Sequence, residues 1–263
     1  MSVSESITSS IVDSISESIF GQNAVNDFIF VMATTAPSET VTIPCQNVGA
    51  FDAVIDWGDG STSAITAYND ADLAHVYADA GDHEIHVSGT FPNIYFNGAG
   101  DRLKVKEVLN LGKVGWTRLN GAFYGCENMV RFIAGNCDTS LVITVYSLLR
   151  GCFILTDIRV STMDVSSSSN FGYVFRDCPT GIDPGIESWD ISLGASFTHF
   201  MKNSGLTTPA YDATLEAWGA LDPVDSQSPH FGISKYTAGG AAEAGRDKLI
   251  GTDLWTFIDG GAV

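Results

Sequence analysis

Basic residues are the scarce component of this 263-residue chain: 13 Lys and Arg stand against 31 Asp and Glu, giving a net charge of −18, and none precedes Arg102. Residues 1–100 hold 13 of the acids. A field of that sign repels phosphate backbones and anionic headgroups, which argues against nucleic-acid binding and against simple membrane-surface binding. Long apolar runs are also missing. No stretch approaches the roughly 20 consecutive apolar residues of a bilayer span, so no membrane insertion is expected. Met1 to Phe20 has no basic n-region, and Ser, Glu and Asp separate its isoleucines, so it does not read as a cleaved secretory signal. Cysteine is sparse and odd in number, five in all, which argues against a complete set of intrachain disulfides and for free buried thiols. The motifs G-x-S-x-G, H-E-x-x-H, C-x-x-C and a phosphate loop are all lacking, and no enzyme is expected. His199 has no obvious nucleophile partner, and acid pairs such as Asp70/Asp72 and Asp177/Asp183 are commonplace in so acidic a chain.

What is present is a period of 26 residues. Cys126, Cys152, Cys178 and Ser204 stand at one spacing, each preceded by an apolar pair: Ala122/Phe123, Leu148/Leu149, Val174/Phe175 and Phe200/Met201. A second marker, Asp-x-Ser, keeps the same register at Asp138/Ser140, Asp164/Ser166 and Asp190/Ser192. Such units cannot bury their apolar faces alone and must stack, so a short solenoid is expected over residues 99–207. Within the second unit, Leu155, Ile158 and Val160 predict a short strand and Met163 to Ser166 a turn, followed by a helix-like Val174-Phe175 that closes at Cys178. The aspartates Asp138, Asp164 and Asp190 suit capping of that short helix. The small residues Cys126, Cys152, Cys178 and Ser204 suit an internal ladder. Cys137 shares its repeat position with Met163 and Trp189 and is expected to be buried.

Eight of the first 18 residues are Ser, yet Ile7, Ile11, Ile15 and Ile19 recur every fourth position, with Phe20 beside them. On a helix they would form one apolar stripe, so residues 1–26 read as an anchor or oligomerisation peptide or, more plainly, as a helix folded back on its own domain or a frayed tail. Residues 27–98 instead alternate like strands: Phe28 to Met32, Val41 to Pro44, Ala53 to Trp57, His75 to Tyr77 and Glu84 to Val87, with a tight-turn signal at Trp57-Gly58-Asp59-Gly60. A small antiparallel sandwich is expected. The carboxylates Asp56, Asp59, Asp70 and Asp72 offer oxygens for a calcium ion, although no D-x-[DN]-x-[DN]-G loop frames them and turn chemistry explains Asp59 and Asn69 more economically. His83 and His86 have opposite parity on a strand, which favours surface histidines over a metal pair.

The residues Asp56 to Ser61, His75-Val76-Tyr77 and Ala80 to Val87 resemble the polycystic-kidney-disease (PKD) type of immunoglobulin-like domain, with its W-G-D-G turn and later strand pair. Phe175-Arg176-Asp177-Cys178 and Trp189-Asp190-Ile191-Ser192 resemble the F-x-x-C and W-D-x-S pattern of BspA-like leucine-rich repeats from bacterial and phage surface proteins. Residues 208–263, with Tyr211 to Trp218, Ser234-Lys235-Tyr236, Arg246 to Ile250 and Trp255 to Gly261, resemble the closing segment of such proteins, which would cover the open end of the repeats. These resemblances imply a mainly β fold with short helices: an N-terminal peptide, an immunoglobulin-like β-sandwich, a leucine-rich-repeat solenoid and a C-terminal α/β cap. They imply a binding or structural role without catalytic residues. The leading expectation is a bacteriophage virion surface protein, a tail or head fibre. It would be held to other virion proteins by its N-terminus, form a homo-oligomer such as a trimer, and touch host glycan or protein through side chains such as Tyr95 and Trp116, provided they are exposed. The alternative is a bacterial cell-surface adhesin.

Overall fold

The computed structural model describes residues 24–263, and the stripe of Ile7, Ile11, Ile15, Ile19 and Phe20 lies outside them. The fold is mainly β. Strand β1 (Phe28–Thr34) alternates strictly, burying Phe28, Phe30, Met32 and Thr34 while Ile29, Val31 and Ala33 lie half-buried on the other face. That period of two is what one buried sheet face demands. β1 pairs antiparallel with β6 (Gly81–Thr90), which pairs with β3 (Asp52–Asp56), which pairs with β4 (Thr62–Ile65). A second, two-stranded sheet joins β2 (Glu39–Thr42) and β5 (Ala74–Tyr77), contributing buried Val41 and Tyr77 to the core. At the end of β3, Trp57 is fully buried; its carbonyl accepts the Tyr77 hydroxyl at 2.8 Å, and its indole N–H donates to Ser63 at 3.0 Å.

On its other edge β1 pairs antiparallel with β7 (Val105–Asn110), and β7 pairs parallel with β8 (Arg131–Ile133) and then β9 (Asp157–Arg159). The result is one seven-stranded sheet in the order β4-β3-β6-β1-β7-β8-β9. Residues 27–98 and 99–207, set apart by the sequence, therefore share a backbone hydrogen-bond network.

From β8 on, chain segments 26 residues apart lie beside one another, and β7 pairs with β8 at a separation of 24. Glu107, Arg131 and Asp157 align across three strands, with Arg131 bonded to both acids at 3.1 and 3.3 Å. Further along each unit Thr144, Asn170 and Ser196 form parallel bridges. Two left-handed residues recur in every unit: Gly121, Ser147, Tyr173 and His199 at one position, Gly125, Gly151, Asp177 and Asn203 at the other. They lie four residues apart and leave room for one hydrogen-bonded turn only, such as Arg176 N to Tyr173 O and Cys178 N to Phe175 O. The helix expected at Val174-Phe175 is thus absent, because a left-handed residue at either side stops propagation. Asp138, Asp164 and Asp190 do not cap helices either. Each accepts the backbone N–H two residues on, from Ser140, Ser166 and Ser192, at 2.9–3.2 Å, which is an Asx turn.

The ladder positions are all buried. Cys152 Sγ donates to Phe123 O, Cys178 Sγ to Leu149 O and Ser204 Oγ to Pro179 O, so each side chain ties its unit to the one before. All five cysteines are free. Cys137 departs from expectation. Smaller than the Met163 and Trp189 that share its position, it leaves its thiol half-exposed beside Thr162.

Two strands, β10 (Thr180–Ile182) and β11 (Gly205–Leu206), pair in parallel before α1 (Thr208–Gly219). Thr207 caps α1 by accepting from Ala210 N. Trp218 closes over the last unit, its indole N–H on Ile186 O and its ring against Phe197 and Phe200. Helix α2 (Ala241–Gly251) packs on α1, and Asp259 accepts from both Tyr211 and Arg246.

Candidate functional site

Two surfaces concentrate chemistry. The first is an open groove of about 840 Å³ on the outer face of β3, β6 and the start of β1, lined by Asp27, Asp56, Asp82, Glu84, His83 and His86 among others. His86 Nε2 lies 2.9 Å from Glu84 and Nδ1 lies 3.8 Å from Asp27. Burial raises the Asp27 carboxyl above its ordinary value, against the pull of His86. The groove offers hydrogen-bond acceptors. Its side-chain hydroxyls are those of Thr62 and Ser88.

The four carboxylates considered for calcium are not brought together. Asp56 accepts from Gly58 N, Asp59 from Ser61 and His75, and Asp70 from Thr66 and Asp72 N. Among the described residues no group of three or more His, Cys, Asp and Glu could hold a metal ion. The Asp59 carboxyl is held at about 2, first by the Ser61 hydroxyl, with His75 adding to it. His75 stacks on Trp57 at 4.9 Å and His83 on Tyr77 at 3.5 Å, so both histidines are packing elements.

The second surface runs across the repeats. Arg150 lies between two rings, 4.5 Å from the centre of Tyr124 and 5.1 Å from that of Tyr173. Arg176 lies 5.4 Å from Tyr173, whose ring also meets Tyr146 at 5.3 Å and His199 at 5.2 Å. His230 extends the row, 6.3 Å from His199. Tyr124, Arg150, Arg176 and Lys202 occupy one repeat position, outside the buried apolar residue that precedes each of them. Glycines seat the rings: a Cβ on Gly98 would meet Tyr124 at 3.1 Å, and one on Gly172 would meet Tyr146 at 3.2 Å. Tyr95 lies half-buried at the start of the same row, where a Cβ on Gly121 would meet its ring at 3.2 Å. Trp116 is not part of it. Only 1% exposed, it donates its indole N–H to Leu111 O and packs edge-on against Phe28, so it is a core residue and touches no ligand.

The electrostatics of the row are unusual for so acidic a chain. Burial, and then the charges of Lys202, Arg176 and Arg150, hold the His199 imidazole below its ordinary value. Arg176 is paired with Asp177 at 3.1 Å, but Arg150 and Lys202 have no ion pair among the described residues. Two buried polar atoms in the left-handed corner, Ser147 Oγ and His199 Nδ1, have no hydrogen-bond partner among the described residues. The row can stack flat apolar faces and hold negative charge.

Sequence reasoning singled out Tyr95 and His199 but missed Tyr124, Tyr146, Arg150, Tyr173, Arg176 and Lys202. Their signal was available: 124, 150, 176 and 202 share the 26-residue register of the cysteines two positions further on. No protein-family model, curated protein or solved structure matches the chain. Among the described residues no helix is long and apolar enough to cross a membrane.

Proposed function

We propose that this chain is a non-enzymatic surface protein of a bacteriophage virion, a tail- or head-fibre-like component that contacts host glycan or protein. On this reading a PKD-type immunoglobulin-like sandwich continues into a leucine-rich-repeat-like solenoid closed by the C-terminal cap, and the N-terminal segment holds the chain to other virion proteins. The observation that carries the proposal is the row Tyr124, Tyr146, Arg150, Tyr173, Arg176 and His199, an aromatic and cationic surface renewed once per repeat. Surfaces of this kind bind extended ligands, because each stacked unit adds one more contact of the same type. The shared 26-residue period of the left-handed corners and of the buried ladder supports the solenoid reading. The second sheet β2-β5, joined to the main sheet through Trp57 and Tyr77, supports the sandwich.

The test is binding of the full-length chain to a glycan array, together with incorporation into particles of the chain with and without residues 1–22. Binding that Y173G abolishes, and incorporation that truncation abolishes, are the expected results. A chain that binds no glycan and no host-surface protein, and joins particles equally well when truncated, refutes the proposal. Recovery of the chain on a bacterial envelope and never on particles would replace the virion with the adhesin reading.

A further inference from the structure

The ligand class of the row can be narrowed. We propose that it is the binding site for an acidic carbohydrate, with a sugar ring lying against Tyr146 and the carboxylate or sulfate groups of the chain held by Lys202 and by Arg150 and Arg176, which Tyr124 and Tyr173 hold in place. The inference rests on the surface-contact reading above and deepens it.

Three observations converge. The cations are placed by the fold: Arg150, Arg176 and Lys202 stand at one repeat position, so positive charge recurs at about the 4.8 Å spacing of stacked strands. A ligand whose own charges recur along a chain matches that pattern. Next, Arg150 and Lys202 have no ion pair among the described residues. Their charges are available to an anion, and the Arg guanidinium adds planar, bidentate geometry that suits carboxylate and sulfate oxygens. Finally, Ser147 is 1% exposed and its hydroxyl is unpartnered, as is His199 Nδ1 at the same repeat position two units on. A buried polar atom without a partner is costly, and a hydroxyl-rich ligand reaching into the corner would relieve it. Tyr146, 37% exposed and seated on one side against Gly172, offers the kind of flat ring that stacks on a sugar. A nucleic acid is the poorer fit. An oligosaccharide with a few charged groups needs no more cations than the row holds, whereas the phosphates of a strand run past it into a field of −18.

The experiment titrates the full chain with tetragalacturonate, its neutral methyl ester, a heparin tetrasaccharide and a disialic acid by calorimetry. Variants K202Q, R150Q/R176Q and Y173G are titrated beside it. Lys202 forms no side-chain hydrogen bond, and Gly already occupies the Tyr173 position in the first unit as Gly121, so K202Q and Y173G preserve the fold. Expected are binding of at least one acidic sugar, a loss of about tenfold or more on removing a charge-assisted contact in K202Q, and loss of detectable binding in R150Q/R176Q and Y173G. Preference among the acidic probes separates carboxylate from sulfate. Failure of all three acidic probes overturns the inference. So does equal affinity for the methyl ester with K202Q unaffected; in that case Y173G decides whether the row still serves neutral glycans, which would leave the surface-contact reading standing.

Discussion

Replacing Gly245 by Ala sets two effects of opposite sign against each other. Gly245 lies inside α2, where Ala is the better helix former by about 0.8–1 kcal/mol, so propensity alone favours the variant. The packing of α2 on α1 opposes it. A Cβ at Gly245 would stand 2.3 Å from Leu215 O and 2.9 Å from Leu215 C, and the reciprocal Cβ at Gly219 would stand 2.5 Å from Gly245 Cα. Ordinary contact begins at 3.4 Å, so the helices must part by about 1 Å, and since the obstructing atoms are backbone no rotamer change can yield. Over-packing of this kind costs about 1–3 kcal/mol, and the immovable neighbour puts G245A in the upper part of that range.

The net expectation is a loss of about 1–2 kcal/mol, or a Tm lower by about 2–8 °C for a chain of this size. Scanning calorimetry or urea titration of G245A measures it. G251A is the control: nothing lies within 4 Å of its Cβ position, so only the propensity effect acts, and its stability is expected to match or exceed that of the parent. If G245A proved as stable as G251A, the close helix crossing would be refuted, and with it the seating of Trp218 over Phe197 and Phe200.

Alkylation at pH 8 is expected to label Cys45 and Cys137 at most in the native chain and all five cysteines after unfolding, because burial removes Cys126, Cys152 and Cys178 from reagent and pushes the Cys178 thiol up to about 12; missing labels after unreduced unfolding would reveal disulfides. D59N is expected to flatten acid unfolding. The folded Asp59 carboxyl titrates at about 2, below its unfolded value near 3.9, so its contribution is complete above pH 4 and lost as pH falls toward 2; an unchanged slope between pH 4 and pH 2 would refute the Ser61 and His75 contacts as its cause. W116F is expected to lower stability by about 1–2 kcal/mol, through the lost Leu111 bond and the smaller ring, while leaving any glycan affinity unchanged. Light scattering at near-marine salt is expected to give a trimer or larger for the full chain and a monomer without residues 1–22.

The two kinds of pattern in this chain differed in how far they could be followed. Alternation in Phe28 to Met32 and the cysteine register are local or strictly periodic, so most strands of residues 27–98, though not β4, and the 26-residue spacing of neighbouring segments could be read directly. The union of both parts in one sheet could not. It depends on β7 pairing antiparallel with β1, some 75 residues away in sequence, and parallel with β8, and no local pattern encodes a choice of neighbour. The helix expected in each unit failed for the opposite reason. Val174-Phe175 has a helical apolar pair, but left-handed Tyr173 and Asp177 bracket it, and only Gly121, Gly125 and Gly151 hinted at such corners. Trp116 misled because large aromatics serve cores and ligands alike, and burial alone separates the two.

The two left-handed corners offer an internal comparison. The position held by Gly125, Gly151, Asp177 and Asn203 uses residue types that tolerate positive φ, so conformation alone accounts for its composition. The position held by Gly121, Ser147, Tyr173 and His199 has the same backbone, with φ between 53° and 62°, yet it abandons glycine after the first unit. A bulky Tyr in this region costs about 1 kcal/mol or more relative to Gly, and Gly121 demonstrates that the fold accepts the cheaper residue. Core packing does not explain the exchange, because the Tyr173 ring faces Tyr146, Arg150, Arg176 and His199 on the surface instead of the apolar interior. Strain retained where it could be relieved, at a position whose side chain looks outward, is accounted for by what that side chain meets on the surface. On the proposed reading this position is where a ligand contact is most economically placed, and the unpartnered Ser147 hydroxyl and His199 nitrogen stand at the same position in the units on either side of Tyr173.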